Sequence, residues 1–250
     1  MYNPYDNVEN DKEKIMKTKS LIKEHPFTRI KEKEEDINNL STIIEIVWQK
    51  IENCDIFGIK LIELQLSTSA LAQILEKLLT SDLKSINGDW KNGNDKEKDL
   101  IYEKDEKMSV ELKTSGQSGK TKIFGNASYA KDSISKKNKN GYYLTVNFDY
   151  KLLKLGLIRF GWINKSDLKA QESESGQAST LNETVYKTQL LVIKGNYLKN
   201  TPVSFINGIG PKFEKDLKDK NIQTVGDLLE ETNNKHYKKA LEFYESEFIN

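Results

Sequence analysis

The stretch SVELKTSGQSGKTKIF, residues 109–124, can be read in two ways, and the fold turns on the choice. From its right end, Gly119-Lys120-Thr121 looks like the close of a nucleotide-binding phosphate loop. From its left end, Glu111-Leu112-Lys113 offers an acid and a base two residues apart. The phosphate-loop reading fails on spacing. Such a loop needs Gly-x-x-x-x-Gly-Lys-Ser/Thr, so that a ring of backbone N–H groups wraps the phosphates. Thr114 stands where the first glycine should be, and the nearest glycine, Gly116, leaves the loop two residues short. No helical pattern starts at Lys120 either, so the sequence predicts no nucleotide cofactor. Read as a strand, Met108, Val110 and Leu112 alternate with Ser109, Glu111 and Lys113. Successive strand side chains point to opposite faces. Glu111 and Lys113 therefore share one face while three apolar residues anchor the other.

Asp/Glu-x-Lys occurs seven times in this chain, so the spacing alone says little. Context singles out residues 111–113, because only here does the triplet sit on such a core-anchored strand. A second acid, Asp99, opens DLIY (99–102), a strand joined to the first by the turn EKDEK. An even number of loop residues would put Asp99 on the wrong face of the sheet from Glu111. A shared site requires an odd loop or a bulge.

Outward from this hairpin, residues 36–57 and 66–84 carry apolar residues at helical spacing. Residues 86–98 and 169–184 read as polar loops, and 141–150, 155–163 and 185–195 as further strands. The expected fold is mixed α/β: a mixed sheet flanked by helices, plus a small all-α unit. The expected divisions are a charged, mobile N-terminal arm and helix at 1–35, a core at 36–200 and a helical unit at 201–250. The chain has 250 residues, 31% of them charged, with a net charge of +1. Any nucleic-acid surface must come from local clustering. One cysteine, Cys54, excludes an internal disulfide and a multi-Cys zinc site. Two histidines, His25 and His236, leave almost no material for a His-based metal site or a Ser-His-Asp triad. No apolar run is long enough to cross a membrane, and MYNPYDNVENDKEK is too polar for a signal peptide. The expectation is a cytoplasmic protein.

An Asp opening one strand with Asp/Glu-x-Lys on the next resembles the PD-(D/E)XK nuclease superfamily; Lys98 stands where a Pro often precedes the Asp. DWKNGNDKEKDLIY, SVELKTS and KIFGNASYA together resemble type II restriction endonucleases of the ScaI kind. The resemblance implies a catalytic set of Asp99, Glu111 and Lys113. Asp99 and Glu111 would hold one or two Mg²⁺ ions, with the Leu112 carbonyl and Glu76, in AQILEKLL, as further candidate ligands. It also implies a homodimer that cuts a short palindromic site in double-stranded DNA and leaves 5′-phosphate ends. Residues 119–140 carry Lys120, Lys122, Lys131, Lys136, Lys137 and Lys139 against one acid, with Phe124, Asn126 and Tyr129 interleaved. That pattern suits contacts with phosphates and bases.

Residues 205–231, FINGIGPKFEKDLKDKNIQTVGDLLEE, resemble a helix-hairpin-helix motif. Gly208 and Gly210 would permit the tight hairpin and its approach to a phosphate, and Pro211 suits a first helical turn. Asn221 stands at a left-handed helix end, and Thr224 can cap the next helix. Lys212 and Lys215 would lie beside the phosphate. The preceding TPVSFIN is short for a full first helix. Two alternatives stay open: a structure-specific repair or junction nuclease, and a DNA-binding protein without catalysis.

Overall fold

A computed structural model describes residues 2–28, 39–123, 125–126, 138–170 and 178–245. Its centre is a six-stranded sheet in the order β11-β8-β7-β5-β4-β3. The strands are β3 (Trp90–Asn92), β4 (Leu100–Tyr102), β5 (Val110–Ser115), β7 (Gly141–Asp149), β8 (Lys154–Ile163) and β11 (Leu190–Val192). β5 and β7 run parallel and the other neighbours antiparallel, so the sheet is mixed. Helices α1 (Asp11–Glu24), α2 (Asn39–Glu52) and α3 (Thr68–Asn87) pack against it. Two small sheets complete the fold. One is the hairpin β1 (Asp55–Ile56) and β2 (Ile59–Lys60). The other joins β6 (Gly125–Asn126), β10 (Ala178–Leu181) and β9 (Leu168–Ala170). Among the described residues no helix is long and apolar enough to cross a membrane.

Alternation gives the two faces of the large sheet different jobs. Val110 and Leu112, then Tyr142, Leu144, Val146 and Phe148, then Ile158 and Phe160 join the main core. There they meet Ile44, Val47 and Trp48 of α2 and Leu71, Leu75 and Leu79 of α3. The helices form where the apolar spacing predicts. Ser67 caps α3 by accepting from Ala70 N–H, and Gly88 ends it at φ 69°. On the opposite face stand Glu111, Lys113, Tyr143, Thr145, Asn147 and Arg159, in adjacent registers. Most of that face is also buried.

Four sequence expectations need adjustment. The expected loop at 86–98 contributes the edge strand β3, which pairs with β4 and buries Trp90 completely. Residues 2–28 pack into the core: Tyr5, Ile22 and Phe27 belong to it, and the Thr18 hydroxyl donates to the Thr188 carbonyl at 2.7 Å. α1 has few apolar residues, but Ile15, Leu21 and Ile22 face the core while Met16 is exposed, a stripe that the charge-rich composition hides. The expected loop at 169–184 gives residues to β9 and β10, which pair with each other. The expected strand at 185–195 begins as a helix, α4 (Glu183–Thr188), before β11. The Gln189 side chain, bonded to Asp167 at 2.9 Å, marks the switch.

The chain then forms a second, smaller core from Val203, Ile206, Ile209, Leu217, Ile222, Val225, Leu228 and Ala240. It is built by α6 (Pro211–Lys218), α7 (Val225–Glu230), α8 (Tyr237–Glu245) and the turns between them, while α5 (Tyr197–Asn200) packs its Tyr197 and Leu198 into the main core. A register shift near Asn147/Phe148 leaves Gly156 of β8 out of the ladder. A Cβ at Gly156 would lie 2.3 Å from the Phe205 ring, and the Gly156 carbonyl accepts from the Thr201 hydroxyl at 3.0 Å. The missing side chain lets the helical unit seat directly on the sheet.

Candidate active site

The β4–β5 hairpin decides which acids can meet. Leu100 pairs with Val110, so continuing the ladder sets Asp99 across from Glu111. The connection is odd in length because it folds into a short 3-10 turn, Glu106–Met108, and Tyr102 N–H is bonded by the Ser109 hydroxyl oxygen. Asp99 lies just before β4, on the same face as Glu111 and Lys113.

The three side chains come together around one ammonium. Lys113 Nζ donates to Glu111 Oε1 at 2.5 Å and to the Leu112 carbonyl at 3.1 Å, and stands 3.7 Å from Asp99 Oδ2. The same Asp99 oxygen accepts from Leu112 N–H at 2.7 Å, which fixes its carboxylate against β5. Glu111 is 1% exposed. A buried carboxylate needs a compensating charge, and the strand period supplies Lys113 two residues on. A positive charge thus already sits among the three oxygens singled out in the sequence. These are hard oxygen donors, the kind that Mg²⁺ prefers, so the residues fit such an ion. Glu76, on α3, is engaged by Lys77 at 2.8 Å, and Lys77 also reaches Asn92. Among the described residues no three His, Cys, Asp or Glu side chains are grouped as a metal site. Lys98 extends over the ring of Tyr143, the β7 residue in register with Glu111, at 4.8 Å.

Of the basic segment, Lys120 is exposed and Lys122 forms an ion pair with Glu183. Asn126 lies on β6, opposite Ala178. Tyr129, with Phe124, Lys131, Lys136 and Lys137, falls outside the described residues. Sequence reading passed over Thr145, Asn147 and Arg159. Their signal was available: three polar positions alternating through GYYLTVNFDY, and a lone Arg inside the apolar run LGLIRFGWI.

In the helical unit Pro211 occupies the first turn of α6, Asn221 has φ 61°, and Thr224 caps α7 by accepting from Asp227 N–H. The segment before the hairpin is a 3-10 turn, Val203–Phe205, shorter than a full helix. Gly208 has φ 78° and needs to be glycine, and its carbonyl accepts from Lys239 Nζ at 3.1 Å. Gly210 does not: its φ is −87°, and a Cβ there would meet nothing within 4 Å. Gly208, Gly210, Lys212 and Lys215 are all exposed.

The family model described as ScaI restriction endonuclease matches residues 3–194. The curated type II restriction enzyme ScaI of Streptomyces caespitosus is 40% identical over 129 residues, which cover 48% of this chain. The match covers 56% of that enzyme, so the chain spans little more than half of its relative's length. No solved structure matches. The matched range takes in α1 and the whole large sheet and stops short of the second core.

Proposed function

The chain belongs to the ScaI restriction endonuclease family, and on that premise we propose that it hydrolyses phosphodiester bonds in double-stranded DNA, with Mg²⁺, as a type II restriction endonuclease. A homodimer would act on a short palindrome, each subunit cutting one strand and leaving a 5′-phosphate. The observation that carries this reading is the convergence of Asp99, Glu111 and the Leu112 carbonyl on one positive centre, on a strand whose other face is core. Asp99, Glu111 and the Leu112 carbonyl would hold the ion. When bound, such an ion polarises a phosphate and acidifies a coordinated water.

The chain's own residues do the rest. Asp99 is held by the Leu112 N–H, so its carboxylate is oriented before substrate arrives. Glu111, being buried, keeps bulk water from one side of the site. Lys113 Nζ, once released from Glu111, can donate to the attacking water or to the phosphate oxygen that gains charge. Exposed Lys120, and Lys122 once freed from Glu183, would meet phosphates. Gly208 to Gly210, Lys212 and Lys215 in the helical unit would do the same away from the cut. Phosphate contacts position the duplex and base contacts specify it.

Plasmid DNA incubated with the protein and Mg²⁺ tests this reading. Discrete, reproducible fragments with 5′-phosphate ends are expected. Nicks confined to junctions or loops would replace the reading with a repair nuclease. DNA bound but intact would replace it with a non-catalytic binder.

A further inference from the structure

Beside the acid–base cluster, a run of backbone is strapped to the sheet by two buried side chains. Asn147 Nδ2 donates to the carbonyls of both Lys120 and Lys122, each at 3.1 Å. Arg159 Nη1 donates to the carbonyl between them, Thr121, at 2.8 Å, and to Asn147 Oδ1 at 3.0 Å. Tyr186 Oη accepts from Ile123 N–H at 3.1 Å, and the Arg159 guanidinium lies 5.4 Å from the Tyr186 ring. Asn147 is 0% exposed and Arg159 7%. Three successive carbonyls, 120 to 122, are therefore held by one network.

An irregular surface segment does not need a buried arginine in order to fold. Burial alone lowers the pKa of Arg159, so placing its charge there is unfavourable. What the network fixes is the direction of the side chains leaving that backbone. Lys120 points to solvent and Lys122 reaches Glu183. Its place on the sheet is also fixed. Thr145 pairs with Lys113 on one side and with Arg159 on the other. Strands stand about 4.8 Å apart, so Arg159 is roughly 10 Å from Lys113 across the sheet. At about 3.4 Å of duplex axis per nucleotide, that is about three nucleotides.

We propose that Asn147 and Arg159 are positioning residues that hold residues 120–123 as a rigid DNA-contacting strap, within about three nucleotides of the phosphate attacked beside Lys113. They touch no reacting atom. They act through Lys120 and Lys122, and their effect belongs to binding and register rather than to bond cleavage. The inference rests on the endonuclease reading above.

Asn147→Asp is the decisive variant. It keeps the size of the side chain and an oxygen for Arg159, but it loses both donors to the strap. DNA affinity is read by filter binding in Ca²⁺, and the cutting step by single-turnover cleavage at saturating DNA in Mg²⁺. The strap predicts a rise in Kd of about tenfold or more, while single-turnover cleavage of bound DNA stays within about threefold of wild type. Arg159→Met, which has no donor for either Thr121 or Asn147, should show the same split. Tyr186→Phe removes the Ile123 anchor alone and should show it more weakly; it also carries the test if Asn147→Asp does not fold. Unchanged affinity, or an equal loss at saturating DNA, overturns the strap. If wild type itself neither binds nor cuts, the endonuclease reading fails, which is a distinct result.

Discussion

Acid should loosen this fold through one histidine, by an amount the structure sets. His25 is fully buried, its ring 4.1 Å from that of Tyr142 and 5.0 Å from that of Phe160. Its Nδ1 accepts from Phe27 N–H at 3.1 Å, so the proton sits on Nε2, which donates to the Met108 carbonyl at 2.8 Å. A second proton on Nδ1 would point at the Phe27 N–H. Burial pushes the pKa down from 6.5 to about 3, against the Met108 hydrogen bond, which raises it. The unfolded chain takes up this proton near 6.5 and the folded chain only near 3, so between these values the unfolded state binds more protons. Stability is therefore complete above about pH 6.5 and falls as the pH drops toward 3. One pH unit is worth about 1.4 kcal/mol, so at pH 4.5 the loss is about 3 kcal/mol. His25→Gln keeps a donor for Met108 but carries no titrating group. It should be less stable than wild type at pH 7, because packing is lost, yet lose about 3 kcal/mol less between pH 7 and 4.5. Urea unfolding of both proteins at the two pH values measures the difference, in which the shared carboxylates cancel. Equal pH dependence would refute the neutral, buried imidazole. Met108 leads into β5, so the same proton would reach the strand that carries Glu111 and Lys113.

Asp99→Ala, Glu111→Ala and Lys113→Ala should each cut at under about a tenth of the wild-type rate, a barrier increase above about 1.4 kcal/mol, while filter binding shows duplex affinity largely kept. Faster cutting by any of them would remove that residue from the site. Replacing Lys212 and Lys215 together by Ala should lower the slope of log affinity against log salt by about one per lost phosphate contact, with the fragment pattern unchanged. An unchanged slope would mean that the helical unit does not touch DNA. Gly208→Ala should cost about 1 kcal/mol in thermal unfolding because of its left-handed backbone, and Gly210→Ala close to nothing. Equal costs would contradict the hairpin geometry.

How far the chain could be read depended on how local each cause was. The alternation around Glu111 and Lys113 is a property of eight consecutive residues, and it gave β5 and its two faces directly. Pro211, Asn221 and Thr224 were equally legible, since turn and cap geometry is set within a few residues. Gly210 misled because glycine is permitted in a hairpin without being required there. Whether Asp99 could join Glu111 depended on a short 3-10 turn that begins at the end of EKDEK and runs into Met108, and charge composition does not reveal such a turn. Residues 2–28 looked like an arm because the partners of Tyr5, Ile22 and Phe27 lie far along the chain. The joint role of Asn147 and Arg159 was hidden for the same reason. What covers them is a segment near residue 121 and a helix near 186, and no window of the sequence holds all of these at once.

The polar face shows how closely the site is tied to the fold. Glu111 is buried, and a buried carboxylate is stable only when its charge is answered. The two-residue period places Lys113 beside it, and the odd hairpin brings Asp99 to the same point. Insertion or deletion of one residue between 99 and 113 would turn at least one of these groups toward the apolar core. The fold would then carry an ionised group among Leu100, Val110 and Leu144, which a core of that kind does not accommodate. The three groups are therefore held together by folding stability as well as by chemistry. The ammonium that balances the acids in the free protein also shows what a bound divalent ion would have to do. It would take over the neutralisation of Glu111 and Asp99, leaving Lys113 free to act on water or phosphate.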